Sequence, residues 1–164
     1  MPGTRVAAFF AAGALAMALA SCSTSPPQSN VVQGAQGNAG DVAVRGAAIV
    51  RGPSGASSAT LVATLVNGGA SADVLVSVSV ASPKPSAISI TGGQLYLPPN
   101  VAVGVGHTGE KYINFYGFDP TPSQIVSVTF RFRDHGSTTL NIKTVPPTGV
   151  YAGIAPVAAS PSAS

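Results

Sequence analysis

The residue best placed for chemistry is Cys22, the only cysteine of the 164-residue chain. It closes the sequence Leu-Ala-Ser-Cys, behind an apolar stretch at 6–20 and a leader with one positive charge, Arg5. A basic start, an apolar stretch shorter than the ~20 residues of a transmembrane helix, and small residues before the cleavage point are typical of a secretory signal. The sequence therefore predicts a signal peptide at 1–21 and a mature chain that begins at Cys22.

The motif at Cys22 resembles the lipobox of bacterial lipoproteins, in which the cysteine thiol is diacylated and the signal is cleaved before it. The resemblance implies that Cys22 carries a lipid such as palmitate. The protein would then be anchored to the cell membrane on its extracytoplasmic face. Two alternatives stay open, an ordinary signal peptide with a chance cysteine and a buried N-terminal helix. The abundance of alanine and glycine indicates a GC-rich genome, and we expect an actinobacterial source.

The two histidines are the remaining candidates for metal chemistry, and both lie in turns. With Glu110 or Asp134, His107 and His135 could together bind Cu(II) or Zn(II). The chain has no pair of histidines four residues apart and no HExxH or CxxC motif. Since solvent-exposed turn histidines are commoner than metal ligands, the sequence predicts no metal site and no cofactor.

Motifs for catalysis or nucleic-acid binding are missing from the sequence. There is no G-x-S-x-G elbow and no S-x-x-K motif. Loss of Arg5 with the signal leaves seven of the eight basic residues against five acidic ones, a charge too small and dispersed for nucleic acid. We therefore expect a protein that is not an enzyme. A close pairing of a serine or an acid with His107 or His135 would favour the enzyme alternative.

Composition divides the mature chain into three parts. Residues 22–40 are rich in Pro, Gly, Gln, Ser and Asn, which predicts a flexible tether. Residues 41–150 form the predicted folded domain, and 151–164 lack any period and are expected to be a disordered tail.

The pattern from residue 41 onward has the period of two that is typical of β-strands. Seven to nine short strands separated by Gly and Pro turns predict an all-β fold, an antiparallel β-sandwich. In two strands the pattern assigns alternate apolar residues to one shared face: Val42, Val44, Ala48 and Val50 in the first, and Val74, Val76, Val78 and Val80 in the second.

The aromatic strand 111–118 offers a candidate surface for binding a partner. Alternation places Ile113 and Phe115 in the core, so that the opposite face carries Tyr112, Asn114 and Tyr116. Tyrosine commonly serves recognition because it combines a large contact area with a hydroxyl group. The alternative is that these side chains only cover the edge of the sandwich.

The order of strands and turns resembles the PCuAC-type periplasmic copper chaperones. The resemblance covers 41–146 and rests on ATLVATLVNGGASADVLVSVSVASP at 59–83, GEKYINFYGF at 109–118 and IVSVTFRFRDHGSTTLNIKTV at 125–145. The chain is also similar to small mycobacterial lipoproteins of this fold. The resemblance implies a cupredoxin-like or immunoglobulin-like sandwich outside the cytoplasm.

The copper ligands of that family are not retained in this chain. The family binds Cu(I) through histidine and methionine, because thioether sulfur suits that ion. Tyr112 and Asn114 stand where the family pattern has histidine and methionine, and Met1 and Met17 both lie in the predicted signal. We therefore expect a membrane-anchored, non-catalytic binding domain with an unidentified protein or envelope partner. The alternative is a metal chaperone that uses replacement ligands.

Overall fold

The structure is a computed structural model and describes residues 34–54, 56–106 and 111–154. Within these residues the domain is built from strands, with a single 3₁₀ turn at Gly149–Tyr151. The predicted all-β class is confirmed, with ten strands described where seven to nine were expected. The strands are β1 (Ala35–Ala39), β2 (Val42–Arg51), β3 (Ser58–Asn67), β4 (Asp73–Val80), β5 (Ala87–Ile90), β6 (Leu95–Leu97), β7 (Ala102–Val105), β8 (Ile113–Tyr116), β9 (Ile125–Phe132) and β10 (Ser137–Val145). None of the described residues forms a helix long and apolar enough to cross a membrane.

Two layers of strands pack face to face and join through β10. One layer has the order β5-β8-β3-β2, with β1 on β2 and β7 on β3, and the other has the order β10-β9-β4-β6. The named strands pair antiparallel, as predicted, except β10 and β2, which pair in parallel at their ends, with Thr144 opposite Ile49 and Val145 opposite Val50. This junction makes one continuous sheet that curls towards a barrel. No local sequence pattern indicates a parallel pairing between strands so far apart in the chain.

The main core lies between the two layers and contains four fully buried phenylalanines: Phe115, Phe118, Phe130 and Phe132. Burial of each such side chain stabilises the fold by about 1.5–3 kcal/mol. Strand β9 alternates strictly, with Val126, Val128, Phe130 and Phe132 buried in this core.

Strand β2 changes its inward face because it contains a bulge. Val42 and Val44 enter the main core, as predicted. Beyond them the pairing with β3 shifts, where Gly46 has a φ of 60° that favours glycine. An extra residue in a strand moves all later side chains to the opposite face. The prediction that Ala48 and Val50 share the face of Val42 is therefore wrong, because these two pack in a second cluster on the other side of the sheet.

A second shift in pairing, between β4 and β9, alters the predicted face of β4. The shift falls between Leu75 and Ser77, and Leu75 is fully buried in the main core. Val78 and Val80 also lie in that core, whereas Val76 is only half-buried. The predicted common face of the four valines therefore holds for Val78 and Val80 alone.

The expected tether contains a strand that the sequence pattern did not reveal. Strand β1 lies within 22–40, pairs antiparallel with β2, and buries Ala39. Its sequence, AQGNA, alternates small residues that face the core with polar residues that face outward, and alanine and glycine give only a weak apolar signal. The domain therefore begins earlier than the predicted Asp41. Residues 22–33 lie outside the described part of the chain.

The expected tail also begins later than the sequence suggests. Ile154 is 8% exposed and packs with Val50, Val62 and Val145 on the outer face of the sheet. The backbone turns back on itself there, with the N–H of Ile154 donating to the carbonyl of Tyr151. One buried apolar residue gives no periodic pattern in the sequence. The segment that ends at Ile154 was therefore predicted to belong to the tail.

Candidate functional site

Several of the sequence predictions concern residues that the structure does not describe. The lipidation site Cys22 and the signal at 1–21 lie outside the described residues. His107 and Glu110 lie in the undescribed segment 107–110, so the alternative of a metal site shared by the two histidines is not tested. His135 is the histidine around which a site can be described.

The aromatic strand β8 presents its side chains as the alternation predicts. Ile113 and Phe115 are fully buried in the main core. On the opposite face Tyr112 is 44% exposed, and Asn114 and Tyr116 are half-buried. This face therefore offers one well-exposed aromatic ring and two partly covered side chains.

The amide of Asn114 is already engaged within the domain. The Thr60 hydroxyl of β3, on a residue 1% exposed, donates to Asn114 Oδ1 at 2.8 Å. The N–H of Tyr112 donates to the hydroxyl oxygen of Thr91 at 2.7 Å, which ties the start of the strand to the loop after β5. Of the three candidate residues, the two tyrosines are therefore better placed than Asn114 to meet a partner.

The strongest polar cluster of the described residues is built around His135, in the turn between β9 and β10. The imidazole Nδ1–H donates to Oδ2 of Asp73 at 2.7 Å, since a carboxylate can only accept. The side chain of Asp73 is fully buried at the start of β4. Its two oxygens also accept the backbone N–H groups of Val74, Asp134 and His135. The carboxylate therefore locks the turn onto β4 and fixes the orientation of the ring.

This geometry shifts the pKa of both partners. Burial raises the pKa of Asp73, but the hydrogen bonds from His135 and from the three backbone N–H groups outweigh it, so that the pKa lies below its ordinary value. The hydrogen bond to Asp73 raises the pKa of His135, against desolvation and together with the charges of Asp73, Asp41 and Asp134. Three of the five acidic residues of the chain thus surround this one imidazole.

The second ring nitrogen of His135 points to another carboxylate. Nε2 lies 3.6 Å from Oδ2 of Asp41, whose side chain is 68% exposed. A Cβ on Gly69 would lie 3.4 Å from Nε2 and 3.5 Å from that Oδ2, so the glycine leaves the space beside both atoms open. An imidazole nitrogen and the oxygen of an exposed carboxylate therefore lie side by side next to this glycine.

Asn67 holds the loop that carries Gly69. This residue is fully buried, and its amide donates to the carbonyls of Ser71 at 2.8 Å and Leu97 at 3.1 Å. Its Oδ1 accepts the N–H of Gly69 at 2.9 Å. The Asn-Gly-Gly turn signal of the sequence marks this loop correctly, but the buried amide that shapes it carries no sequence signal of its own.

His135 Nε2 and Asp41 Oδ2 could together bind a metal ion, with water as its remaining ligands. Ligand atoms ~2.1 Å from a tetrahedral ion lie ~3.4 Å from each other, close to the separation of His135 Nε2 and Asp41 Oδ2. A carboxylate on the other ring nitrogen is the arrangement that commonly orients a metal-binding histidine. Within the described ranges, no group of three or more His, Cys, Asp or Glu side chains is placed to enclose a metal. The pair therefore fits an open, partly hydrated site.

The pairing of His135 with an acid bears directly on the enzyme alternative. An aspartate hydrogen-bonded to Nδ1 forms the orienting half of a catalytic triad. A hydrolase would need a serine or cysteine at Nε2 as the nucleophile, whereas the neighbour there is the carboxylate of Asp41. The arrangement found here suits the binding of a cation better than the activation of a nucleophile.

Sequence reasoning missed Asp73 as a member of the site. The alternation of β4 assigned Asp73 to the outer face with Ser77 and Ser79, but the structure buries it. Its partners come from the turn after β9, about sixty positions later in the chain. The sequence also proposed Asp134 as a metal ligand beside His135. In the structure the backbone N–H of Asp134 donates to Asp73, and the charge of its carboxylate helps to raise the pKa of His135.

Comparison with known proteins identifies the architecture. No family model and no curated protein matches the sequence. Among solved structures, the apo PCuAC domain from PmoF1 superposes with a TM-score of 0.61 at 19% identity, over 68% of this chain and 99% of that one. The copper-bound PCuAC domain from PmoF2 gives a TM-score of 0.60 at 19% identity, covering 68% of this chain and 98% of that one. The apo PmoF2 domain gives 0.60 at 17% identity, covering 72% and 99%. The domain therefore has the PCuAC-type fold that the strand pattern resembles.

Proposed function

We propose that this chain is a lipid-anchored extracytoplasmic protein whose PCuAC-type domain binds a metal ion through replacement ligands and does not catalyse a reaction. The lipobox at Cys22 supports the anchor. The fold supports the ligand class, since one of its structural neighbours is described as copper-bound. The likeness to these copper domains favours a metal over the broader alternative of an unspecified ligand.

The chemistry of the available side chains selects the class of ion. The chain after residue 22 contains no methionine and no further cysteine, so the soft sulfur ligands that favour Cu(I) are absent from it. Imidazole nitrogen and carboxylate oxygen suit Cu(II) and Zn(II) instead. A divalent ion therefore matches this site better than Cu(I).

A single observation carries the proposal, the convergence of His135 Nε2 and Asp41 Oδ2 at 3.6 Å. Because Nδ1 is committed to buried Asp73, Nε2 is the nitrogen left to bind. The three carboxylates near the ring add a negative potential that attracts a cation. Gly69 keeps the approach to the pair open.

The test is a calorimetric titration of the mature chain, carrying Cys22→Ser, with Cu(II) and with Zn(II). We expect one ion per chain and an affinity that increases with pH, since a proton competes for Nε2. His135→Gln should weaken binding by about tenfold or more, and Asp73→Asn should weaken it within the ~10–100-fold range of an orienting group. Asp119→Asn is the matched control, because that carboxylate pairs with Arg51 at 3.1 Å instead. Equal affinities in the His135 and Asp119 variants would refute the site.

The anchor has its own test. Cys22→Ala should release the protein from the membrane fraction or leave it unprocessed, because the single cysteine is the only group that can form the thioether to lipid. If the variant still incorporates labelled palmitate, the anchor lies elsewhere.

A second candidate function is recognition of a partner protein through the outer face of β8. The observation that favours it is that the Tyr112 ring, 44% exposed, lies on the same face as the half-buried Tyr116. Loss of two tyrosine anchors from an interface should cost about 2 kcal/mol or more of binding free energy. A Tyr112→Ala/Tyr116→Ala variant should therefore fail to capture the partner from the native envelope. Unchanged capture by a folded variant would leave the strand with a structural role alone.

A further inference from the structure

A cleft opens where the curled sheet fails to close, between β4 and β5. These strands follow each other in the chain but do not pair. Strand β5 pairs with β8 on one side only, and β6 pairs with β4 only along Asp73–Leu75. Among the described strands, nothing pairs with the remaining edge of β4, at 76–80, or with the outer edge of β5. Two strand edges with unpaired backbone groups therefore flank the same opening.

The lining of the cleft confirms that it runs along strand edges. Three consecutive residues from each strand line a space of about 340 Å³: Val76, Ser77, Val78, Ile88, Ser89 and Ile90. Consecutive side chains point to opposite faces of a strand, so a cavity lined by all three lies along the edge and not over one face. All six are uncharged, and Ile88 and Ile90 are half-buried and pack against the main core.

One charged residue marks an end of this cleft. A continuation of about 420 Å³ is lined by Val80, Ile88 and Thr129 and by Lys84 from the loop that joins β4 to β5. The Lys84 side chain is exposed, and no salt bridge to it is formed by a described residue. The cleft is therefore uncharged along its length, with one positive charge at the end where the two strands are joined.

We propose that this cleft binds an extended segment of a partner protein, which adds a strand along the free edges of β4 and β5. Unpaired backbone groups on both walls select a peptide in β-conformation, since only a strand satisfies a row of alternating donors and acceptors. Val76, Ile88 and Ile90, which are half-buried, select apolar side chains at alternate positions. Lys84 selects a carboxylate at one end of the segment, either acidic or C-terminal. The proposal is independent of the metal site at His135.

The free stretches 76–80 and 87–90 contain no proline and no charged side chain. Natural edge strands are commonly protected from pairing by proline, lysine or inward-pointing charges. Here Pro83, Lys84 and Pro85 all lie in the connecting loop, and the paired stretch of β5, Ala87–Ile90, has none of them. An edge left open beside an uncharged cleft is consistent with a strand that arrives from outside.

The test uses the mature full-length chain with Cys22→Ser and a fluorescent synthetic peptide of about seven residues, a common strand length. The peptide alternates threonine and valine and ends in glutamate. The matched peptide carries N-methyl groups on alternate amides and cannot pair. We expect anisotropy to show binding of the first peptide only, with slowed hydrogen exchange at 76–80 and 87–90.

Variants of the two exposed serines locate the binding. Ser77→Lys and Ser89→Lys place a charge in the cleft and should weaken peptide binding by about tenfold or more. Asn141→Lys, at an exposed position of β10, is the matched control and should bind normally. Equal binding of both peptides, indifference to the serine variants, or no binding at millimolar peptide would each overturn the proposal. Sedimentation showing dimers that the serine variants abolish would assign the cleft to a second copy of this chain instead.

Discussion

At the scale of single residues, the buried carboxylate of Asp73 is the polar group that accepts the most hydrogen bonds within the site. It accepts hydrogen bonds from one imidazole and three backbone N–H groups, and it has no access to water. Removal of such an acceptor leaves its donors unsatisfied in a site that water cannot easily refill. The same residue therefore supports both the β9–β10 turn and the orientation of His135.

Asp73→Ala should lower the free energy of unfolding by about 3 kcal/mol, since a charged buried acceptor is lost. Urea denaturation of the two proteins measures the difference. The exposed carboxylate of Asp119, which pairs with Arg51, provides the comparison. Its alanine variant should lose less than about 1 kcal/mol. Similar losses in the two variants would contradict the central place of Asp73.

The pair should also give stability a maximum in pH. Asp73 has a lowered pKa, so its contribution is present above its ordinary value of 3.8 and is lost as the pH falls through the folded-state pKa. His135 has a raised pKa, so its contribution is present below its ordinary value of 6.5 and is lost as the pH rises through the folded-state pKa. Thermal unfolding from pH 3 to pH 9 should therefore show greatest stability between about pH 4 and 6.5. In His135→Gln the decline on the alkaline side should disappear, and its persistence would contradict this assignment.

At the scale of elements, sequence predicted strands wherever side chains alternate without interruption. Strands β8 and β9 bury the residues that their period indicates, because each keeps one register along its length. Strands β2 and β4 do not, since a shift in pairing inserts a residue and reverses the faces beyond it. Such a shift depends on the partner strand, which local sequence cannot reveal. Strand β1 was missed for a different reason, since its inward-facing residues are only alanine and glycine.

At the same scale, the segment that ends at Ile154 covers the outer face of the sheet and should contribute to the stability of the domain. Ile154 is 8% exposed and fills the second apolar cluster above β2 and β3. Ile154→Ala should therefore destabilise the domain by about 2 kcal/mol, at the lower end for a large-to-small change. Val150, 73% exposed, gives the control, and its alanine variant should stay within about 0.5 kcal/mol. Matching denaturation curves for the two variants would restore the prediction that residues 151–164 are all tail.

At the scale of the whole molecule, the fold and the proposed metal site depend on different residues. The sandwich is specified by alternating apolar residues and turns, and this pattern was enough to identify the PCuAC-type fold from sequence. The site at His135 depends on side chains from β4, from the turn after β9 and from the residue just before β2. Distant side chains meet only after folding, so the sequence could name His135 as a candidate but could not assign its partners.

The claim that this scaffold has changed its ligands is tested most directly by its affinity for Cu(I). The mature chain with Cys22→Ser should be titrated with Cu(I), without oxygen, in competition with a chromophoric Cu(I) chelator. Since no methionine or other cysteine follows residue 22, we expect no Cu(I) binding tighter than about 1 μM. If this chain removes Cu(I) from a chelator that binds the ion with sub-micromolar affinity, the account is contradicted, because such binding would require a Cu(I) site without thioether or thiolate sulfur.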